Sequence, residues 1–208
     1  MTAVPPMVFV VDDDPSVRKS LTRLIGSAGY AIEAFASARE FLARERYPGP
    51  CCLILDVRMP ELTGLGLQEA LAGAGRRMSI VFVTGHGDIP MSVKAMRDGA
   101  LDFLIKPVDG QDLLAAIERA VARDVRDRGG EARVTEALER VQMLTPRERE
   151  VFALVVTGML NKQIAFELAI SEKTVKVHRA RVMEKMRAGS VAELVRLADR
   201  VGVIVPKS

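Results

Sequence analysis

An α/β unit built on a doubly wound, five-stranded parallel sheet, joined to a small all-α unit of four helices, is the fold class this sequence predicts. Five short β-rich apolar runs alternate with helical periodicity from Met7 to about Arg128, the pattern becomes charged after Ile117, and from Thr145 onward only helical signals appear. A chain of 208 residues has room for two compact units of unequal size and not for three. Strands separated by helices pair in parallel and are covered on both faces, which places ligand chemistry beyond their carboxyl ends.

The elements follow in order. MVFVV at 7–11 is an apolar run of strand length, after which Val17, Leu21, Leu24 and Ile25 recur on one helical face until Gly29. YAIEAF at 30–35 is the second strand, and Ser37 with Glu40 then has capping-box spacing. CCLIL at 51–55, SIVFV at 79–83 and LDFLI at 101–105 are the remaining strands. Cys51 and Cys52 lie inside the third run without metal or disulfide spacing, so they read as buried strand residues. Asp109 is placed to cap a helix carrying Leu113, Leu114 and Ile117.

The first unit is therefore assigned to residues 1–123, a charged and helical linker to 124–143, and the second unit to 144–208. Within the linker, Gly129 and Gly130 leave two readings open: a flexible connection, or a continuous helix weakened by about 1 kcal/mol per glycine relative to alanine. Val134, Leu138 and Val141 recur there at helical spacing, as for a small satellite contact on the same chain or a contact with a partner chain. In the second unit, Thr145, Pro146 and Glu148 supply an N-cap, a first-turn proline and a capping-box carboxylate, and Gly158 falls where a C-terminal cap belongs. Asn161, Ser171 and Ser190 each stand where a further helix opens.

Composition narrows the function classes. Hydrophobic residues at 49% and charged residues at 27% exclude a disordered chain. No apolar run reaches the roughly 18 residues of a membrane span, and no signal-peptide pattern opens the chain, so a cytoplasmic protein without a membrane partner is expected. Residues 1–123 carry 14 basic against 15 acidic side chains, and residues 124–208 carry 16 against 12. The basic excess lies in the second unit and points to a polyanionic partner.

Three strand ends deliver side chains that make chemical sense together: Asp12 and Asp13 after the first, Asp56 after the third, Thr84 after the fourth. Lys106 follows the fifth. Clustered carboxylates repel one another unless a divalent cation neutralises them, and Mg2+ (or Mn2+) suits a few carboxylates plus water and phosphate oxygens. Such a cation withdraws charge from a phosphoryl group while Asp56 attacks it, and Lys106 and Thr84 hold the phosphoryl oxygens.

The stretches VVDDD at 10–14, LDVRMP at 55–60, VTGHGD at 83–88 and FLIKP at 103–107 resemble the receiver domains of bacterial two-component response regulators. That resemblance implies a flavodoxin-like sheet of order 2-1-3-4-5. It makes Asp12 and Asp13 metal-binding acids alongside Asp56 and the backbone carbonyl of Arg58. It makes Asp56 the phosphoryl acceptor from a sensor histidine kinase, Thr84 the switch hydroxyl, Lys106 the phosphoryl-contacting cation and Phe103 the aromatic switch residue. It also implies a cis peptide between Lys106 and Pro107, and dimerisation on phosphorylation through the face formed by residues 89–122. Enzymatic activity is then limited to Mg-dependent self-phosphorylation from a phosphodonor and slow self-dephosphorylation. Arg58 and His86, each two residues beyond a site residue, are placed to flank the hydrolytic water and to set the lifetime of the phosphate. Unchanged dephosphorylation in Arg58→Ala and His86→Ala would dispose of that expectation.

LTPREREV at 144–151 and NKQIAFELAISEKTVKVHRARVMEKM at 161–186 resemble the LuxR-type helix-turn-helix domain. With TGHGDIPM at 84–91, the whole chain resembles a FixJ-like response regulator. A helical wheel with Val175 inward buries Val182 and Met186 and turns Lys173, Lys176, Val177 and Ala180 outward. Lys176 then donates to guanine, and Val177 and Ala180 touch thymine methyls, each good contact discriminating by roughly 1–3 kcal/mol. Thr174 belongs to the same DNA-contacting set, while Lys162, Arg181 and Lys185 serve phosphates. Some relatives carry a basic residue in place of Ala180, so their site preference does not transfer. Arg179 projects toward the inward side and snorkels along the core edge. Promoter DNA is the expected partner, and RNA polymerase a further one for an activator.

Two other functions fit the residues less well. An aspartate-nucleophile phosphatase wants a second carboxylate two residues after the nucleophile, where this chain has Arg58, and a substrate cap, which no segment resembles. A DNA-binding scaffold with an inert receiver is disfavoured by the intact acid set.

Overall fold

The computed structural model describes residues 4–85 and 89–202. Five strands form one parallel sheet of order β2-β1-β3-β4-β5: β1 Met7–Val11, β2 Ala31–Phe35, β3 Cys51–Leu55, β4 Ser79–Thr84 and β5 Asp102–Ile105. The register aligns Phe9 with Leu53 and Leu53 with Ile80 across the three central strands. β3 and β4 are buried throughout, which explains why they read as unbroken apolar runs and not as alternating ones.

The period of two along these strands divides the core. Phe9, Leu53, Leu55 and Phe82 face one side, where α2 (Ala38–Ala43), α3 (Gly64–Gly73) and α4 (Ile89–Arg97) supply Phe41, Leu67 and Ala95. Val8, Val10, Ile54 and Val81 face the other, covered by α1 (Pro15–Ser27) and α5 (Gly110–Gln142) through Ile25, Leu113 and Ile117. The expected caps are in place. Ser37 Oγ accepts from the Glu40 amide at 3.1 Å, and Asp109 Oδ1 accepts from the Gln111 amide at 2.7 Å. Asp14 caps α1.

The charged stretch after Ile117 is helix, because α5 runs for 33 residues through Gly129 and Gly130. The flexible reading therefore gives way to the continuous helix. The first compact unit extends to Arg128 and the second begins at Gly129, beyond the boundary of 123 read from the sequence. A clamp accounts for the difference. Asp124, buried on α5, accepts a hydrogen bond from the Cys51 amide at 2.9 Å and pairs with Arg128. Arg128 also donates to the Pro48 carbonyl at 3.3 Å, so residues 124–128 are tied to the start of β3.

The second unit packs α6 (Pro146–Val156), α7 (Asn161–Glu167), α8 (Glu172–Lys185) and α9 (Val191–Arg200) around Val151, Phe152, Ile164, Val175, Val182 and Leu194. Ala137, Val141 and Leu144 face inward near the end of α5, whereas Leu138 stays exposed. The satellite contact thus keeps Val141 from the expected stripe and takes Ala137 in place of Leu138. Gly158 adopts φ 87 after α6, the left-handed conformation expected of a terminating glycine.

Between α7 and α8, Ala169 holds φ 51, a region that disfavours a Cβ. Ala169→Gly is expected to stabilise the second unit by about 1 kcal/mol, the strain relieved exceeding the added unfolded-state entropy. A higher urea midpoint at unchanged m-value would register it. Among the described residues no helix is long and apolar enough to cross a membrane.

Candidate functional site

At the carboxyl end of the sheet the strands bring Asp12, Asp56, Thr84 and Lys106 together. The Asp56 amide donates to the Val11 carbonyl at 2.9 Å, extending the β1–β3 ladder by one residue, and the Lys106 amide donates to the Thr84 carbonyl at 2.9 Å. The Lys106–Pro107 peptide is cis, as the resemblance implied. Lys106 Nζ lies 2.6 Å from Asp12 Oδ2 and 3.7 Å from Asp56 Oδ1. Asp12 and Asp56 are only 2% and 7% exposed, and Thr84 is buried beside them.

Burial pushes the Asp56 carboxyl above the usual carboxylate range. Lys106 opposes that shift, Asp12 adds to it, and hydrogen bonds from the Thr84 hydroxyl and the Val57 amide oppose it again. Asp56 Oδ1 is buried with no hydrogen-bond partner among the described residues. Exposed Asp13 completes a set of three acids whose ligand atoms lie within 4.8 Å of one another. A desolvated oxygen that accepts no hydrogen bond among the described residues, in a triad of hard donors, fits a divalent cation, since Lys106 supplies one positive charge against three carboxylates.

Gly64 supports this site, and the sequence reading missed it. Its amide donates to the Val57 carbonyl at 2.9 Å. A Cβ at Gly64 would meet the Asp56 carbonyl oxygen at 2.2 Å, so the first turn of α3 lies directly against the backbone of Asp56. The signal available was Thr63-Gly64 in the loop after the third strand. Phe103 sits half-buried at the core edge, its ring 6.0 Å from Phe82. Arg58 is exposed, and His86 lies outside the described residues.

In the second unit, Val175, Val182 and Met186 are buried as the wheel required, and Lys173, Lys176, Val177, Ala180 and Arg181 are exposed on α8. Lys162 is exposed in the first turn of α7. Thr174 is half-buried with its hydroxyl 2.8 Å from Ser171 Oγ, inside the cap of α8. Arg179 donates to Asn161 Oδ1 at 2.9 Å, tying α8 to α7 across the turn.

The Lys185 ammonium is engaged by Glu148 Oε2 at 2.6 Å and the Met143 carbonyl at 3.2 Å, so it holds α8 against the start of α6. Glu148 also receives the Thr145 amide at 2.9 Å, closing the capping box. The Lys185 hydrogen bond, with the Thr145 amide second, draws the Glu148 carboxyl down to about 2 from an ordinary 4.5.

A carboxyl with a depressed folded pKa stabilises above its unfolded pKa and loses that contribution as pH falls through the folded one. Glu148→Gln is therefore expected to destabilise the second unit by about 2 kcal/mol at neutral pH, the scale of a charged hydrogen bond. The gap between the two proteins should persist down to pH 4.5 and close toward about 2. Urea denaturation across that range tests it.

Residues 8–118 match the response regulator receiver domain family, and residues 142–198 match the bacterial regulatory proteins of the luxR family. The chain is 48% identical over 197 residues to nodulation protein W of Bradyrhizobium diazoefficiens, covering 95% of this chain and 87% of that one. It is 43% identical to the transcriptional regulatory protein FixJ of Azorhizobium caulinodans, over 94% of this chain and 93% of that one. A low-resolution structure of the response regulator StyR is similar with a TM-score of 0.84 at 45% identity, covering 95% of this chain and all of that one.

Proposed function

The chain belongs to the response regulators that join a receiver domain to a LuxR-type DNA-binding domain, and on that premise we propose that Asp56 takes the phosphoryl group that governs its binding to promoter DNA. Phosphorylation-activated transcription regulation is the function of the family. The observation that carries the residue assignment is the buried Asp56 carboxylate, one oxygen of which accepts no hydrogen bond among the described residues, with Lys106 and Thr84 beside it.

In the reaction an Asp56 oxygen attacks phosphorus, the bond from phosphorus to the imidazole nitrogen of a sensor histidine kinase breaks, and the imidazole leaves with a proton from solvent. Lys106, already within reach of both Asp12 and Asp56, balances the charge that accumulates on the phosphoryl oxygens. Mg2+ or Mn2+, held by Asp12, Asp13, Asp56 and the Arg58 carbonyl, would supply further charge withdrawal. Arg58, exposed beside the acceptor, is placed to influence hydrolysis of the acyl phosphate, with His86 as the second candidate.

The phosphoryl group adds about −1.5 to −2 charges and three acceptor oxygens. Thr84 then turns its hydroxyl from the carboxylate to the phosphoryl group, and Phe103 moves into the space it leaves. The output is dimerisation through the α4–β5 side, where Ile89 and Ile105 are 79% and 59% exposed. Two linked DNA-binding units gain affinity through effective concentration. Lys173, Lys176, Val177 and Ala180 read bases and Lys162 and Arg181 hold phosphates, in the cytoplasm, with RNA polymerase as a further partner.

The test compares promoter binding by the protein with and without a small phosphodonor and Mg2+ at a stated salt concentration, since nonspecific affinity depends steeply on salt. Equal affinity in both states overturns phosphorylation control. Lys176→Ala is expected to weaken operator binding by about 1–3 kcal/mol and to relax preference at one base pair, as a panel of operator variants would reveal.

A further inference from the structure

Gln68 of α3 is polar yet only 4% exposed. It stands one turn after Gly64 on the same helical face, since residues four apart lie one above the other. Its Nε2 donates to the Ala95 carbonyl at 3.2 Å and to the Asp98 carbonyl at 3.0 Å. Both acceptors belong to the carboxyl end of α4, where the chain turns through Gly99 at φ 96 and the Ala100 amide also donates to Ala95 at 3.0 Å. A side chain of α3 thus closes the end of a different helix.

α4 is otherwise lightly held. Ala95 is buried, whereas Ile89, Val93 and Met96 stand exposed. Lys94 reaches Glu69 of α3 at 2.7 Å and Asp98 at 2.8 Å, but these groups are largely in solvent, where ion pairs hold little. All of these ties lie in the last turn of α4 or just beyond it. Gln68 also carries a cost, because its Oε1 is buried and accepts no hydrogen bond among the described residues. A methionine of the same length would fill the space without burying an unused polar atom, so what the glutamine contributes is its two donors.

We propose that Gln68 is the positioning residue on which α4 pivots: it pins the carboxyl end of the helix to α3 while the switch at Thr84 and Phe103 displaces the amino end around Ile89. The inference rests on phosphorylation of Asp56 as the input. Because Gly64 lies against the Asp56 backbone one turn earlier, the pin is registered to the acceptor residue. α4 has 9 residues and is about 14 Å long. Held at one end, it converts a displacement near Thr84 into a directed tilt of the exposed Ile89 and Val93; released at both ends, it would move without a fixed direction.

Sedimentation of the full-length protein with and without acetyl phosphate and Mg2+ gives the dimer dissociation constant in each state, and the ratio of the two is the response. In Gln68→Met that ratio should fall at least about fivefold, within the range by which single residues alter coupling. Asp56 should be labelled at the wild-type rate, because Gln68 touches none of the reacting groups. Glu69→Ala, which removes the exposed pair with Lys94, should keep the response. In the wild type, phosphorylation should change hydrogen exchange across residues 89–93 and leave residues 95–100 steady, and Gln68→Met should lose protection in the second stretch. Should Gln68→Met fail to fold, the wild-type exchange pattern decides alone. A full response in Gln68→Met, an equal loss in Glu69→Ala, or exchange that changes as much at 95–100 as at 89–93 would overturn the pivot while leaving phosphorylation control intact. A wild type that is not labelled, or is labelled without any change in self-association, would overturn the phosphorylation reading and the pivot with it.

Discussion

Asp56→Asn is expected to take up phosphoryl groups at least about a thousandfold more slowly than the wild type, the scale on which loss of a nucleophile falls. Its promoter affinity should not respond to a phosphodonor. The substitution preserves shape but removes the attacking carboxylate. The fold should survive, because burial and the neighbouring Asp12 both disfavour the charge at Asp56, and an amide relieves both at the expense of a 3.7 Å contact with Lys106. Thermal denaturation of the variant should match or exceed the wild type in Mg-free buffer. Mass spectrometry after incubation with a small phosphodonor and Mg2+ reads the first effect, and undiminished labelling of the variant would move the acceptor elsewhere.

Gly64→Ala should produce the second large effect through backbone contact alone. The new Cβ would stand 2.2 Å from the Asp56 carbonyl oxygen and 3.1 Å from Leu55 Cγ. Because the oxygen belongs to the main chain, relief requires moving the acceptor residue or the first turn of α3. Overpacking of this kind costs about 1–3 kcal/mol, and a shift near 1 Å at a reacting atom lowers rates by about a hundredfold. The variant is therefore expected to lose stability in its first unit and to phosphorylate at least about tenfold more slowly. Gly73→Ala is the control, since a Cβ there meets nothing within 4 Å. Equal phosphorylation rates in both variants would show that α3 does not position Asp56.

The features legible in the sequence were those written in local spacing. The strands at Met7–Val11 and Cys51–Leu55, the capping box of Thr145 and Glu148, and the buried stripe of Val175, Val182 and Met186 all follow from periodicity and cap chemistry. Asp12, Asp56, Thr84 and Lys106 were also legible, because a parallel sheet gathers its strand ends. Gly64 was not, since its proximity to Asp56 arises from how the loop after β3 folds back before α3 begins. Lys185 looked free on the wheel because its partner Glu148 lies 37 positions away. The continuity of α5 through Gly129 and Gly130 depended on a modest local penalty, about 1 kcal/mol per glycine, set against a long hydrogen-bonded helix.

β3 has a mechanical consequence. The strand is buried along all of its 5 residues, roughly 17 Å at the rise of a parallel strand. One tip carries the carboxylate of Asp56, and the other is gripped at the Cys51 amide by Asp124 of α5. Paired in register with β1 on one edge and β4 on the other and packed on both faces, the strand resists sliding as well as bending, so its two tips belong to one rigid piece.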